Sequence, residues 1–488
     1  MNTARILDIE LSRQELERER FQELIRKVAD AFAQKISELL FSGINMDLQD
    51  ISKHIQDNKQ AFLSQVLQKV VQIKYADYLE QKQAVCPCCG KKLTKQTDLS
   101  RDIDTLHGTT EMSRPYFYCR TCKHGFFPLD EALGLSERQK QYDLQALAAE
   151  FITEMPFDRA SELFEKTTGV SFTDSRIHSL FASFAGQAEL EEVIPSKAEI
   201  EKRIEQAKGQ DKRRPVLVVA SDGANVKIRP PGGRDQKRGA GQYKEAKGFR
   251  IYLLNGDKIL QVASWHQKTT AEEITKALKI VAKRIPRDKV RVCLIGDGAH
   301  WLWDAMTAAF PKAREVLDYF HVKEYIHGVA EAYYEDPDKA LHWVEATMSR
   351  LSLKGGVSHV IGGLKRMQPQ SKEAKEQIQS TITYLSNNKK RLNYRGARIG
   401  GYPIGSGAIE SANKFICHTR LKRSGAWWLI PNCNNMLKLH CAIVNGTFDY
   451  DFAKHATQRE GKVVCKKDVM LPVRKTVCLD VDQADFKS

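Results

Sequence analysis

The chain has 488 residues, room for three or four domains at about 150 residues each. With 42% of them apolar it can fill sizeable cores, which excludes a disordered chain. Lys and Arg number 76 against 61 Asp and Glu, and the surplus of 15 positive charges points to a polyanionic partner, nucleic acid before a membrane surface.

The longest apolar runs, such as Val216 to Ala220, fall far short of the roughly 20 residues needed to cross a bilayer. The opening MNTARILDIELSRQELERER lacks the apolar block of a secretory signal. A soluble, cytoplasmic protein with no membrane partner is expected. Its eleven cysteines then serve metal ligation or burial rather than a disulfide framework.

Residues 1–83 are rich in Leu, Glu, Gln, Lys and Arg, with apolar residues at helical spacing such as Phe21, Leu24, Ile25 and Val28. They predict two or three helices of a packing or dimerisation module. In 84–130, Cys86 and Cys89 (VCPCCGKKL) and Cys119 and Cys122 (YCRTCKHG) form two C-x-x-C knuckles separated by 29 residues. Tight turns let each pair of thiolates face one point, and two such turns complete a tetrahedral Zn²⁺ site, with 100–117 as strands of a zinc ribbon. Cys88 is a spare thiol that could substitute for Cys89. Cys293, Cys417, Cys433, Cys441, Cys465 and Cys478 lack paired spacing and read as buried.

Helical pattern returns over 131–188. FDRASELFEKTTGVSFTDSRIHSLFASFAG predicts a helix from about Asp158, a turn at 167–170 and a second helix capped by Thr173. This is a helix-turn-helix layout with Arg176, His178 and Ser179 as candidate DNA readers, and equally the layout of an ordinary packed helix pair. Residues 189–214 read as a charged linker, a helix followed by a loop.

After Pro215 short apolar strands take over. PVLVVASDG reads as a buried strand with Asp222 at its carboxyl end, and GFRIYLLNGDKILQVASWH as two strands joined at Asn255-Gly256. AEEITKALKIVAKRI is an amphipathic helix, and VRVCLIGDGAHWLWDAM a strand ending at Asp297 that runs into a helix. The order predicts an α/β fold, a mixed sheet with helices packed on it.

Asp222 and Asp297, each followed by Gly, would project from strand ends of one sheet, where two carboxylates can share hard divalent cations. Glu410, in the first turn or so of a helix opened by Gly405-Ser406-Gly407, supplies a third acid. Around it Ser411, Asn413, Lys414, Arg420, Lys422 and Arg423, followed by the paired Trp427 and Trp428, suit phosphate groups. Between the first two acids, Lys227, Arg229, Arg234, Lys237, Arg238, Lys244, Lys247 and Arg250 outnumber Asp235 and Glu245, so this loop and hairpin are expected to meet DNA phosphates.

SDGANVKI, YKEAK, IGDGAHWLW, LDYFHV and above all GSGAIESANK followed by RLKRSGAWW resemble the transposases of bacterial insertion sequences of the ISKra type. CPCCG, YCRTC and FPLDEALGL resemble the same family's amino-terminal part, and the likeness spans about residues 84 to 446. It implies an RNase H-like DDE catalytic domain made of 215–325 and 400–446, an all-α insertion at 326–399, and the triad Asp222, Asp297 and Glu410. Asp318 and His321 in DYFH match the D-x-x-H of Mutator-like enzymes. His321 would orient the scissile phosphate, or else be a buried histidine bonded to Asp318.

The implied chemistry is cleavage and strand transfer at insertion-sequence ends with two Mg²⁺ (or Mn²⁺) ions about 3.5 to 4 Å apart. Asp222 would lie between the ions, with Asp297 and Glu410 on either side. The implied partners are the element's ends and target DNA, bound by a homo-oligomer associated with a bacterial nucleoid. Two alternatives use the same residues: a zinc-dependent DNA-binding regulator without activity, against which the intact triad speaks, and a nuclease that hydrolyses DNA without joining ends. The helices before 84 and the tail 447–488 fall outside the motifs.

Overall fold

The computed structural model describes residues 2–43, 46–208, 213–230, 241–255 and 258–458. These divide into two compact units, one running to residue 181 and taking in 452–458, the other covering 182–451. Arg234, Asp235, Lys237, Arg238, Gly256, Cys465, Cys478 and the rest of the tail from 459 lie outside the described residues. Among the described residues no helix is long and apolar enough to cross a membrane.

In the first unit the helices Asn2–Leu40 and Leu48–Lys74 pack on each other, with Phe32 against Phe62 at 4.9 Å. Asp47 starts the second helix through a reciprocal capping box with Asp50. A short helix, Ala76–Leu79, leads into five strands. β1 (Gln83–Val85) and β2 (Lys92–Thr94) form one antiparallel pair, and β3 (Thr97–Thr105), β4 (Gly108–Cys119) and β5 (His124–Phe126) a meander. Burial alternates along β4 as a half-buried strand requires, and its Met112 joins Val71, Ile103 and Leu129 in a small core. Beyond lie the helices Tyr142–Glu154, Phe157–Thr168 and Asp174–Gln187, the second ended by Gly169 at φ +67°.

The second unit is built on a five-stranded sheet. β6 (Val216–Ile228), β7 (Gln242–Asn255) and β8 (Lys258–Gln267) run antiparallel in succession. β9 (Arg291–Gly296) and β10 (Arg314–Leu317) then pair parallel on the other side of β6, so the order across the sheet is β8-β7-β6-β9-β10. The helix Ala271–Arg284 links β8 to β9, capped by Thr270 and burying Ile274, Ala277, Leu278 and Val281 at i, i+3, i+4 and i+7. His300–Ala309 links β9 to β10. A run of helices follows, Tyr319–Tyr333, Pro337–Leu351, Gly356–Arg366, Lys372–Asn387 and Tyr394–Ile399. The chain then returns to the sheet through Gly407–Asn413 and Ile430–Asn445.

Two expectations need correction. Asp222 does not close its strand: β6 continues to Ile228, paired with β7 as far as Ile228 opposite Gln242, so Asp-Gly here is strand interior rather than a turn. It is β9 that stops, its ladder to β6 ending at Ala220 opposite Ile295. The charged stretch 189–214 is not a free linker either. It carries the helices Leu190–Val193 and Lys197–Lys208, which bury Leu190, Val193, Ile200 and Ile204. Arg203 donates to the carbonyls of Gln261, Val262 and Asn445, at 3.1, 3.1 and 2.8 Å. One apolar stripe among many charges is enough to seat a helix. Ile204→Ala should therefore destabilise the second unit by about 2 to 4 kcal/mol in urea titrations, where a true linker would show no change.

Candidate metal centres and nucleic-acid surface

The two cysteine knuckles fold alike. Cys86 N–H donates to Lys91 O at 2.8 Å and Gly90 N–H to Cys86 O at 3.0 Å, closing a turn whose Gly90 has φ +72°. In the second knuckle Lys123 takes the same position after its cysteine pair with φ +52°, a rare conformation for a residue with a Cβ. The four sulfurs of Cys86, Cys89, Cys119 and Cys122 all lie within 4.8 Å of one another. Cys89 to Cys119 spans 3.7 Å and Cys86 to Cys122 4.0 Å, close to the edge of about 3.8 Å of a tetrahedron with roughly 2.3 Å metal–sulfur bonds. The Cys122 backbone N–H leads the causes that bring the Cys119 thiol down to about 6. This donor set fits Zn²⁺ and could hold it. Cys88 is exposed and outside the cluster, so it does not substitute for Cys89. Cys293, Cys417, Cys433 and Cys441 are fully buried.

Asp222 and Asp297 lie just past the point where the ladder between the interior strands β6 and β9 ends. Since Ala220 faces Ile295 in a parallel ladder, Asp222 and Asp297, each two residues further on, are level. Asp297 Oδ1 accepts the Ala299 N–H at 2.7 Å, and Trp303 Nε1 donates to the Asp297 carbonyl at 2.7 Å. Glu410 falls in the first turn of Gly407–Asn413, its Oε1 accepting from Ser406 Oγ at 3.0 Å. Burial, then the charges of Asp297 and Glu410, push the Asp222 carboxyl up to about 6, against the Gly223 N–H and His321. Among the described residues only the four cysteines gather three or more ligand atoms within 4.8 Å of one another, and the carboxylates of the three acids do not. Their oxygen donors suit a hard divalent cation such as Mg²⁺.

Further side chains brace this site: Asn413, expected to meet phosphate, is buried against it instead, and His266 is one that the motifs did not single out. Asn413 Nδ2 donates to Asp222 Oδ2 at 2.6 Å, and Asn413 Oδ1 meets His266 Nε2 at 3.0 Å. Burial drives His266 down to about 4, so it is neutral at pH 7 and its Nε2–H is the donor. Asp318 is fully buried and accepts the backbone N–H groups of His321, at 2.8 Å, and Ser406. The His321 ring is not bonded to Asp318 but to Glu324, Nδ1 to Oε2 at 3.1 Å. Burial opposes its charged form, yet Asp318, Glu324 and Asp297 outweigh that and raise it. His266 could have been found only as a lone histidine in an apolar strand, a weak signal.

The expected phosphate contacts divide. Arg229, Lys244, Lys414, Lys422, Arg423 and Trp427 are exposed. Trp428 N–H donates to Lys227 O and Arg229 N–H to Trp428 O, at 3.0 and 2.8 Å, which sets Trp427 beside the end of β6. Lys227 Nζ then lies 4.6 Å from the Trp427 ring and 5.9 Å from exposed Tyr243. Arg250 and Arg420 are buried instead and do not meet solvent. Arg250 bonds Gln261 at 2.8 Å and the Ala408 carbonyl, and Arg420 lies over Trp428 at 5.0 Å. Lys247 pairs with Glu245 and covers the Trp301 ring at 3.9 Å. In the first unit Arg176, His178 and Ser179 lie on the exposed side of their helix, but His178 also packs edge-on to Phe157 at 5.2 Å.

Two measurements test these centres. The purified chain should carry about one zinc, lost in Cys119→Ser and kept in Cys88→Ser by metal analysis. Asp222 holds its proton more tightly folded than unfolded, so between about pH 4 and pH 6 its contribution to stability falls as pH rises. Relative to Asp222→Asn, the metal-free wild type should lose on the order of 3 kcal/mol across that window, read by urea denaturation, and a pH-independent difference would refute the crowded carboxyl.

The comparison with curated proteins gives no match. Among solved structures, the Drosophila P element transposase strand transfer complex aligns at 10% identity over 66% of this chain and 81% of that chain, with a TM-score of 0.25. The model of the uncharacterised protein family UPF0236 matches residues 45–455, a span that includes the four cysteines and the three acids, and the chain belongs to that family.

Proposed function

We propose that the chain is a DDE transposase of the ISKra type, binding its insertion-sequence ends and catalysing metal-dependent cleavage and strand transfer. One observation carries the reading: the parallel β6–β9 ladder makes Asp222 and Asp297 level, and Asn413, three residues beyond Glu410 on the same helix, donates to Asp222 at 2.6 Å. The strand order β8-β7-β6-β9-β10, three antiparallel strands and then two parallel ones, supports an RNase H-like core in 215–325 and 400–446. Residues 326–399 would be its helical insertion. The Cys₄ ribbon of 84–130, the helices of 131–188 and a homo-oligomer would serve recognition of the ends.

On this reading Asp222, Asp297 and Glu410 would hold Mg²⁺, which activates the attacking oxygen and stabilises the leaving one. Asn413 and Ser406 orient two of these carboxylates, leaving their remaining lone pairs for the cation. His321 would meet a phosphate oxygen as a donor. Lys227, Arg229, Lys244 and Trp427 would hold the DNA backbone and stack on bases.

Glu410→Gln keeps size and hydrogen bonding but removes a charge. It should cut cleavage of DNA carrying the element's ends by at least roughly 10³-fold while binding persists. Joined strand-transfer product from the wild type separates transposition from hydrolysis. Normal nicking by Glu410→Gln would overturn the assignment.

A further inference from the structure

Beside Asp297 opens a cavity of about 500 Å³ that none of the residues discussed so far explains. Gly298, the residue after Asp297, and Tyr384 of the helix Lys372–Asn387 both line it. A Cβ at position 298 would lie 2.3 Å from the Tyr384 ring, so only glycine lets that ring rest against the turn. Tyr384 stacks in turn on Tyr325, centroids 3.9 Å apart and planes within 8°. The Tyr384 hydroxyl is buried and has no hydrogen-bond partner. That oxygen is closed off from solvent, so what the pair offers the cavity is ring surface.

The lining chemistry selects the ligand. Gln379, Thr383 and Asn387 follow one another at i, i+4 and i+8, so one helix face presents amides and a hydroxyl, groups that match donors and acceptors on the edge of a nucleobase. The one arginine of the lining is engaged elsewhere, leaving His300 as its other basic side chain: Arg391 donates from Nε to Glu315 at 2.7 Å and lies over Trp303 at 4.0 Å. Glu376 adds a negative charge. Such a lining disfavours phosphate and favours a flat, uncharged, polar-edged ring. The volume lies within the roughly 300 to 1,000 Å³ of small-ligand sites.

We infer that this cavity receives one unpaired nucleobase of the DNA whose backbone is held at Asp297. The inference rests on the DNA-processing reading above and adds a base-binding site to it. A nucleotide beside the reacting phosphate would leave the stack and enter the cavity, its ring against the tyrosine pair and its polar edge toward Gln379, Thr383 and Asn387, which fixes the strand's position over the acids.

The test uses the full chain and three probes: a flush-ended duplex, the same duplex extended on either strand by one unpaired adenine, and the same extended by one abasic residue. The wild type should bind at least one adenine-extended duplex about tenfold more tightly than its abasic counterpart. Thr383→Phe fills the cavity from an exposed helix position and should erase that preference without changing affinity for the flush duplex. Asn387→Leu, also exposed, repeats the test if Thr383→Phe fails to fold by circular dichroism. Equal binding of adenine and abasic probes by the wild type, or a preference that survives both substitutions, overturns the base site while leaving DNA binding intact. Failure to bind any duplex, flush ends included, sinks the DNA-processing reading and the base site with it.

Discussion

The candidate acid site depends on the parallel pairing of β6 with β9. The ladder from Val216 opposite Arg291 to Ala220 opposite Ile295 makes Asp222 and Asp297 level. Side chains alternate between faces along a strand, so a one-residue slip would send one acid to the opposite face. The register is held by burial: Val216 to Ala220 and Cys293 to Ile295 are within a few per cent of complete burial. Slipping would expose that apolar set, which is why the placement of two carboxylates is secured by residues with no chemistry of their own.

The third acid is brought in by a separate set of polar contacts. Asp318, just past β10, accepts the Ser406 N–H, Tyr319 N–H donates to Ile404 O at 2.8 Å, and Arg250 in β7 holds the Ala408 carbonyl. These three anchors clamp the Gly-rich approach to Glu410 onto the sheet, while Asn413, three residues further on, reaches back to Asp222. A buried carboxylate and a buried guanidinium are costly unless paired or fully hydrogen-bonded. Here each gives one of its bonds to a backbone group of the segment that carries Glu410, which ties part of their cost to the placement of that residue.

The two candidate metal centres differ in how closed they are. The four thiols form a compact cage at tetrahedral spacing, as a structural site for a soft-tolerant ion requires. The carboxylates gather less closely and repel one another, and burial with that repulsion raises Asp222. A divalent cation would relieve both effects. Exposed Arg229, Lys244, Lys422 and Arg423 on the same unit counter the negative charge with a positive field.

Much of this was legible in the amino-acid order. Paired C-x-x-C spacing, apolar runs of strand length ending near Asp222 and Asp297, and the Gly-Ser-Gly approach to Glu410 are local signals, because turn chemistry and strand hydrophobicity act over a few residues. Tertiary structure alone decided where β6 ends, since Asp-Gly reads as a turn until β7 supplies a partner ladder through Ile228. It also decided that Arg250 and Arg420 are internal braces while Arg229 and Lys244 face solvent, because a basic residue's environment is set by neighbours remote in sequence. Likewise only the structure decided that the helix within 189–214 is packed, and the stack of Tyr384 on Tyr325 against Gly298 joins three distant segments that no spacing rule relates.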